Sequence, residues 1–169
     1  MIQRGVGLHF KKYKHKYLAV LMCVLLIAVD YITKLSAVQF MPKNTTITVI
    51  PYLFNFRFLL NEGAAFGMLQ DNRWIFMSAT VIFLIAGVIY FIRLKSNEKF
   101  LGYVIMLIIS GGIGNMVDRV LTGKVVDFIT FGFMDFPSFN VADCCVVIGC
   151  ILWILYILFD MLKGKKTNE

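Results

Sequence analysis

The chain has 169 residues, of which 59% are hydrophobic and 16% are charged, and its formal net charge is +7. Soluble domains contain about 45–50% apolar and about 25% charged residues, so this composition indicates lipid as the solvent. The length suits one compact domain without a separate soluble module. The positive charge does not indicate nucleic acid, because five basic residues precede the first apolar segment and three follow the last, as in membrane proteins.

Four segments have the roughly 20 mostly apolar residues that a membrane-spanning helix needs. We predict these spans at residues 17–38, 74–92, 100–119 and 140–162. The first has the basic start of a signal peptide, but Asp30 and Lys34 interrupt the region where cleavage would fall. Because three further spans follow, we expect the first span to be a retained helix.

Basic residues are distributed unevenly between the loops. Arg93, Lys95 and Lys99 lie in the short loop between the second and third spans, whereas the loops 39–73 and 120–139 are poor in Lys and Arg for their length. The positive-inside rule therefore predicts that this short loop and both termini are cytoplasmic. The expected division is a basic cytoplasmic tail at 1–16, a four-span domain at 17–162 and a second basic tail at 163–169.

The two outer loops contain strand-like segments. Residues 45–50 are rich in β-branched side chains, and Phe54, Phe56 and Phe58 alternate with polar residues. Residues 125–131 are also strand-like. An alternation with a period of two is typical of half-buried strands. We therefore predict an all-α membrane protein with four transmembrane helices and a small extracytoplasmic β-sheet at the membrane surface.

Polar side chains within the spans gather at one depth. With a rise of about 1.5 Å per residue, Asp30, Asn115 and Asp143 lie roughly 18, 22 and 25 Å from the cytoplasmic ends of their spans, in a core about 30 Å thick. Asn115, Asp118 and Arg119 share one helix face because they stand three and four residues apart. Charged groups inside a membrane usually face a cavity or a bundle interior, which predicts a polar site near the outer face.

Each of these residues can also be interpreted as purely structural. Asn140 fits the N-cap of the fourth helix, with Asp143 in its favourable first turn. Asp118 and Arg119 fit an interfacial charge pair, Asp127 fits a loop acid, and the glycine cluster of the third span fits close helix packing. Two other functions stay open for the whole protein: a proton relay or transporter, and a scaffold without catalysis. A relay needs ionisable groups through the whole membrane, however, and the second span has none.

The outer side lacks the residues that many peptidases use. The only histidines, His9 and His15, lie at the cytoplasmic end, which excludes a Ser–His centre, a Cys–His centre or a zinc site at the outer face. The four cysteines lie in apolar runs without metal-ligand spacing, and we interpret them as small apolar fillers. Carboxylates remain, and two aspartates that share a proton can hydrolyse an amide.

Five motifs follow one another along the four spans. They are Asp30-x-x-Thr33-Lys34, Asn61-Glu62-Gly63-Ala64-Ala65-Phe66, the segment GGIGNMVDR at 111–119, Val125-Val126-Asp127-Phe128 and Phe139-Asn140-Val141-Ala142-Asp143. Their order and spacing resemble the bacterial lipoprotein signal peptidases, also called signal peptidase II, over about residues 17–162. The basic segment before the first span is longer than the pattern of that family.

The resemblance implies a role for each matched residue. Asp127 and Asp143 match the catalytic aspartates. Asp30 and Lys34 match a first-span motif with a more structural role. The residues that match site-ordering or substrate-binding positions are Asn61, Gly63, Asn115, Asp118, Arg119 and Asn140.

The resemblance also implies a reaction and its setting. The substrates are prolipoproteins whose lipobox cysteine carries diacylglyceryl, and cleavage falls just before that cysteine. No metal, cofactor or nucleic acid is implied, the other partners are membrane lipids, and a monomer is expected. The protein is expected in the bacterial cytoplasmic membrane with its active site towards the extracytoplasmic face. The aromatic residues expected to form an apolar rim, or else an interfacial belt, are Phe54, Phe56, Phe58, Phe66 and Trp74.

Overall fold

A computed structural model describes residues 2–42, 45–62 and 73–166 of the chain. Four helices and three strands follow one another in these ranges. They are α1 (Ile2–Phe40), β1 (Ile47–Ile50), β2 (Phe54–Asn61), α2 (Arg73–Arg93), α3 (Lys99–Thr122), β3 (Val125–Phe131) and α4 (Val141–Lys166). Two strands therefore separate the first two helices, and the third strand separates the last two.

Three of the helices are long and apolar enough to cross a membrane. These stretches are Tyr13–Phe40 in α1, Lys99–Thr122 in α3 and Val141–Lys163 in α4. A helix suits this environment because it satisfies every backbone polar group within one segment. The apolar stretch of α2 over Met77–Arg93 is shorter within the described part of the chain. The prediction of spans one, three and four is confirmed at this level, whereas a crossing by α2 and the orientation of the termini stay predictions.

The first helix is longer than the span predicted for it. It begins at Ile2, so the basic segment before residue 17 continues the helix of the first span. At the other end of the chain, α4 continues to Lys166, beyond the predicted end of the fourth span. Both basic ends are thus helical extensions where they are described, and the division of the chain into tails and a spanning domain stays a prediction.

Helix α3 occupies the centre of the bundle and packs against α1, α2 and α4. One apolar cluster, here called the inner cluster, joins it to α1 and to the end of α2. Its buried members are Ala19, Cys23, Phe91, Leu94, Leu101, Ile105, Met106 and Ile109. The outward faces of α1, α2 and α4 expose large apolar side chains such as Leu25, Ile82 and Ile151. Apolar exposure on this scale indicates a surface made for lipid.

The strands form one antiparallel sheet in the order β1-β2-β3. Leu59 of β2 pairs with Asp127 of β3, and a register shift separates Phe56 from Leu59. Strand β1 is exposed along its length, whereas the first four residues of β3 are buried. Val126 and Phe128 pack against Ala37 near the end of α1, which holds the sheet on the helix bundle. The predicted small sheet is confirmed, and its extracytoplasmic location stays a prediction.

Candidate active site

Asp127 lies in β3 and is 2% exposed, so the interpretation of this residue as an ordinary loop acid is wrong. Asn61 on the neighbouring strand donates from Nδ2 to Asp127 Oδ2 at 2.9 Å, and Asn140 donates from Nδ2 to Asp127 Oδ1 at 2.7 Å. Because Leu59 is the direct partner of Asp127, Asn61 lies diagonally opposite on the same face of the sheet. The pairing of β2 with β3 thus brings an amide to this carboxyl group.

Asp143 lies in the first turn of α4, where Asn140 caps the helix. The Asp143 N–H donates to Asn140 Oδ1 at 3.0 Å, and the Asn140 N–H donates to Asp143 Oδ2 at 3.1 Å. This reciprocal pair is the arrangement of a capping box. On α3, Asn115 donates from Nδ2 to the other carboxylate oxygen of Asp143 at 2.7 Å. The predicted helix cap is confirmed, and the same Asn140 side chain also binds Asp127.

Behind these carboxyl groups lies a buried ion cluster. Lys34 Nζ stands 2.8 Å from Asp30 Oδ2 and 3.0 Å from Asp118 Oδ2. Asp30 Oδ1 also accepts the Ala142 N–H at 2.8 Å, and Asp118 Oδ2 accepts the Val126 N–H at 3.2 Å. A buried charge is costly unless it is paired and hydrogen-bonded, and here both conditions hold. The cluster ties α1 to α3, to β3 and to the start of α4.

Two glycines allow these elements to approach closely. A Cβ at Gly114 would lie 2.6 Å from Asp30 Oδ2 and 3.1 Å from the Cβ of Ala142, and a Cβ at Gly111 would overlap the Ala142 carbonyl oxygen. Only a residue without a side chain lets the first turn of α4 rest against α3 at this point. The packing interpretation of the glycine cluster is confirmed, and its consequence is the placement of Asp143.

Two cavities meet at Asp143. One, here called the sheet cavity, has a volume of about 440 Å³ and lies between β3, the segment 136–139 and α4; it is lined by both Asp127 and Asp143. The other, here called the helix groove, has a volume of about 520 Å³ and lies between α2, α3 and α4. Asn115, Arg119 and Asp143 line both. Asp143 therefore faces both cavities, whereas Asp127 faces the sheet cavity.

Comparison with known proteins identifies the family of this chain. The family model "Signal peptidase (SPase) II" matches residues 22–159. The chain belongs to the signal peptidase II family. These enzymes are membrane aspartic endopeptidases that remove signal peptides from prolipoproteins.

Curated relatives carry the name lipoprotein signal peptidase. The one from Symbiobacterium thermophilum is 37% identical over 150 residues, which cover 87% of this chain and 98% of the relative. The one from Staphylococcus aureus strain MRSA252 is 40% identical over 154 residues, which cover 89% and 93%. Nearly the whole of each relative is therefore represented in this chain.

Two solved structures, both described as bacterial membrane enzymes, share the fold. One has a TM-score of 0.80 and 39% identity, and the match covers 85% of this chain and 89% of that structure. The other has a TM-score of 0.77 and 38% identity, with coverage of 83% and 92%. The helices and the sheet of this signal peptidase are thus an arrangement that relatives also have.

The environment of Asp127 raises the pKa of its carboxyl group. The pKa of Asp127 is raised from an ordinary value of 3.8 to about 6, chiefly by burial and also by the nearby charge of Asp143. The amide donors Asn61 and Asn140 and the charge of Lys34 act in the opposite direction. Burial prevails because it removes water from the charged form. Within the described residues, no group of three or more His, Cys, Asp or Glu is arranged to hold a metal ion.

The structure brings most of the predicted site residues together. Asp118 and Arg119 do not form the pair considered above: Asp118 binds Lys34, and Arg119 donates from Nη1 to the Asn115 carbonyl oxygen at 3.3 Å. Gly63 lies outside the described residues. Asp30 and Lys34 stand behind the carboxyl groups and contact the residues that hold them.

The aromatic wall of the sheet cavity was missed. It consists of Phe131, Phe136 and Phe139, whose rings lie 5.2 to 6.2 Å apart. Of the aromatic residues predicted to form a rim, Phe54 supports this wall through Phe131, with ring centroids 5.5 Å apart, and Phe66 lies outside the described residues. The density of phenylalanine between residues 128 and 139 was the available signal.

Proposed function

We propose that Asp127 and Asp143 are the catalytic pair of this signal peptidase, and that they cleave the peptide bond just before the diacylglyceryl-modified cysteine of a prolipoprotein. The observation that carries the proposal is that both carboxyl groups line the sheet cavity. Each accepts two N–H groups from described residues. A carboxylate has about four lone-pair positions, so both groups keep positions for water and substrate.

The chemistry needs one ionised and one neutral carboxyl group. Close carboxyl groups in a site of low polarity titrate as a pair, and one proton is kept between the two steps. The ionised group takes a proton from water, whose oxygen attacks the substrate carbonyl carbon. The neutral group donates its proton to the carbonyl oxygen. The tetrahedral intermediate then collapses: the first carboxyl group passes its proton to the departing nitrogen, and the hydroxyl proton returns to the second.

The products follow from this proton balance. The signal peptide leaves with a new carboxyl terminus, and the lipoprotein keeps a free amino group on its lipid-modified cysteine. Apolar walls of the sheet cavity, which include Phe136, Val147 and Ile148, suit the lipid on that cysteine. The helix groove, lined by residues such as Phe83 and Ile108, suits the apolar signal segment. Both openings lead to Asp143.

The membrane arrangement belongs to the same proposal. Four spans with both termini in the cytoplasm place Asp127 and Asp143 towards the extracytoplasmic face of the cytoplasmic membrane, where a lipid-anchored substrate holds its cleavage site. The exposed apolar faces of α1, α2 and α4 contact membrane lipid. One chain supplies both carboxyl groups and their donors, so a monomer suffices for catalysis.

The test is to neutralise each carboxyl group without changing its shape. We expect Asp127→Asn and Asp143→Asn each to lower turnover by about 10³-fold or more, because neither variant can complete both proton transfers. Purified protein in detergent with a diacylglyceryl-modified lipobox substrate and a gel-shift readout measures this.

Asp135→Asn is the matched control. Asp135 is an exposed aspartate in the segment between β3 and α4, so its substitution should leave turnover near the wild-type value. Correct folding of all three variants is checked by their thermal unfolding in detergent. Substantial turnover by a folded Asp127→Asn or Asp143→Asn variant would overturn the assignment of the pair.

A further inference from the structure

The ammonium group of Lys34 is buried, and it has three polar partners. It is 3% exposed, and Nζ contacts Asp30, Asp118 and, at 3.0 Å, Asn115 Oδ1. An ammonium group has three N–H donors and no acceptor. Each N–H therefore has one partner, and the Asn115 atom that faces Lys34 must be the amide oxygen. Lys34 thus decides which way the Asn115 amide points.

The orientation of Asn115 passes on to both carboxyl groups. With its oxygen towards Lys34, Asn115 presents its nitrogen to Asp143 at 2.7 Å. The same Asn115 oxygen accepts from Asn140 Nδ2 at 3.1 Å, so the nitrogen of the second amide also has a defined direction. That nitrogen binds Asp127, and the Asn140 oxygen accepts the Asp143 N–H. Two amides in sequence therefore link Lys34 to the pair.

We infer that Lys34 is a positioning residue for the catalytic pair: it orients Asn115 so that Asp143 is the ionised carboxyl group, and Asp127 holds the shared proton. Lys34 stands behind Asn115 and outside the described lining of both cavities, so it acts through that amide and not on substrate. The inference rests on the proposed role of Asp127 and Asp143. It assigns to each of them one of the two chemical roles that the reaction needs.

The two carboxyl groups differ in how firmly their donors are fixed. Both oxygens of Asp143 accept N–H groups whose direction is fixed. One donor is the Asn115 amide, which Lys34 orients. The other is the Asn140 backbone N–H at the start of α4, where the helix dipole also favours negative charge. A reversed Asn115 amide would place an oxygen against Asp143 and demand a proton there. Asp127 receives one of its donors from Asn61, which Lys34 does not hold. The pKa of Asp127 is also raised to about 6, chiefly by burial, so this carboxyl group holds a proton to higher pH than an ordinary aspartate does.

Other charged groups around Asp143 also influence whether its carboxyl group is ionised. Those on the elements packed against it are Asp30 and Lys34 of α1, Asp118 and Arg119 of α3, and Asp127 of β3, while the thiol of Cys144 follows it in α4. Lys34 with Asp30 and Asp118 carries one net negative charge. Lys34 and Arg119 are thus positive charges among several negatively charged aspartates. Removal of Lys34 therefore makes the ionised state of the catalytic pair less favourable.

Two substitutions test the inference by different routes. Lys34→Met removes the charge and all donors, and Asn115→Leu removes the amide while the Asp30–Lys34–Asp118 ion cluster stays intact. We expect both to lower kcat about ten-fold or more with KM within about two-fold, and to move the acid limb of the kcat–pH profile to higher pH. The double variant should lose clearly less kcat than the product of the two single losses, because both changes interrupt the path through Asn115 and only the direct charge effect of Lys34 adds to it.

Lys16→Met is the matched control. Lys16 also lies in α1 and donates from Nζ to the carbonyl oxygens of Phe91 and Ile92 at the opposite end of the bundle. Its loss should lower thermal stability without moving the acid limb. If Lys34→Met fails to fold because Asp30 and Asp118 lose their partner, an unmoved acid limb in folded Asn115→Leu still overturns the inference.

The outcomes separate this inference from the proposed function. An unmoved acid limb in folded Asn115→Leu, or a double variant whose losses in kcat multiply, would overturn the role of Lys34. Inactive Asp127→Asn and Asp143→Asn variants in the same assay would still support the pair. A shifted limb in both single variants, with a loss in the double variant that is clearly smaller than the product of the single losses, supports the positioning role.

Discussion

The two ends of the helix bundle are held together by different forces. At one end the inner cluster includes Ile105 of α3, Phe91 and Leu94, whose side chains are apolar, and Lys16 adds hydrogen bonds to two backbone carbonyl oxygens. At the other end the same helix contributes Asn115 and Asp118 to a buried network of ion pairs and amides. Apolar packing has no direction, whereas each hydrogen bond requires a particular atom at a particular place.

This difference has consequences for tolerance and for function. A shortened apolar side chain loses contacts in proportion to its size, and its neighbours partly relax. Removal of one member of the polar network leaves a buried partner without its hydrogen bond, which costs about 1–3 kcal/mol and more for a charged group. The polar end should therefore couple stability to catalysis, and the apolar end should affect stability alone.

Two matched glycine substitutions on α3 should show the difference between the polar end and the apolar end most clearly. A Cβ at Gly114 would lie 2.6 Å from Asp30 Oδ2, whereas a Cβ at Gly102 would lie 3.6 Å from Phe91 in ordinary contact. We expect Gly114→Ala to cost about 1–3 kcal/mol and to lower turnover about ten- to a hundred-fold, because Asp30 and the first turn of α4 must shift. Thermal unfolding and the gel-shift assay measure the two effects.

Gly102→Ala serves as the control for that experiment. A glycine in a helix interior is less favourable than alanine by roughly 0.5–1 kcal/mol, so this variant should be as stable as the wild type or slightly more stable, with unchanged turnover. Equal losses of turnover in the two variants would show that the ends of the bundle do not differ as described.

The pH dependence of stability should sharpen the comparison at the polar end. Because the pKa of Asp127 is raised in the folded state from 3.8 to about 6, the folded protein binds a proton between about pH 4 and 6 that the unfolded chain has released. The free energy of unfolding therefore falls as pH rises through this interval, by up to about 3 kcal/mol for a two-unit shift. Melting temperatures in detergent from pH 4 to pH 8 measure the fall.

The variant Asp127→Asn provides the reference for this measurement. It cannot ionise at residue 127, so its melting temperature should change less with pH over the same range. A variant that follows the wild-type curve throughout would assign the pH dependence to other groups.

The smallest effect is expected from Ile105→Val in the inner cluster. Ile105 is 3% exposed and lies ten residues before Asn115, roughly 15 Å along the helix. Loss of one buried methylene should cost about 0.5–1.5 kcal/mol. Turnover and the pH profile should stay at wild-type values, and a clear fall in kcat would show that packing at this end also positions the carboxyl groups.

Much of the fold was predictable from local patterns. The apolar runs in α1, α3 and α4 predict helices that are long and apolar enough to cross a membrane, as the structure has them, because the hydrocarbon core demands long apolar helices whatever their neighbours are. The strand predicted at 125–131 has the bounds of β3. The early start of α1 at Ile2 was not predicted, because a charged segment has no apolar period to mark a helix.

The residues of the candidate site were predicted from the sequence, but the hydrogen bonds between them were not. Asp127 and Asp143 were expected from the absence of outer histidines and from the resemblance to the family. Lys34 was assigned a more structural role, whereas its contact with Asn115 spans 81 positions of sequence. The aromatic wall around Phe131 was missed because phenylalanine is as common in a lipid-facing surface as in a cavity.

The sequence by itself determined the solvent of this protein, its helices and strands, and the kind of chemistry available at the polar end of the bundle, because each of these depends on residue type and local period. The tertiary structure alone decided that Asn140 caps α4 and also binds Asp127, and that Lys34 sets the direction of the Asn115 amide. Hydrogen bonds act over about 3 Å between particular atoms. No spacing along a chain specifies such contacts until the helices have packed.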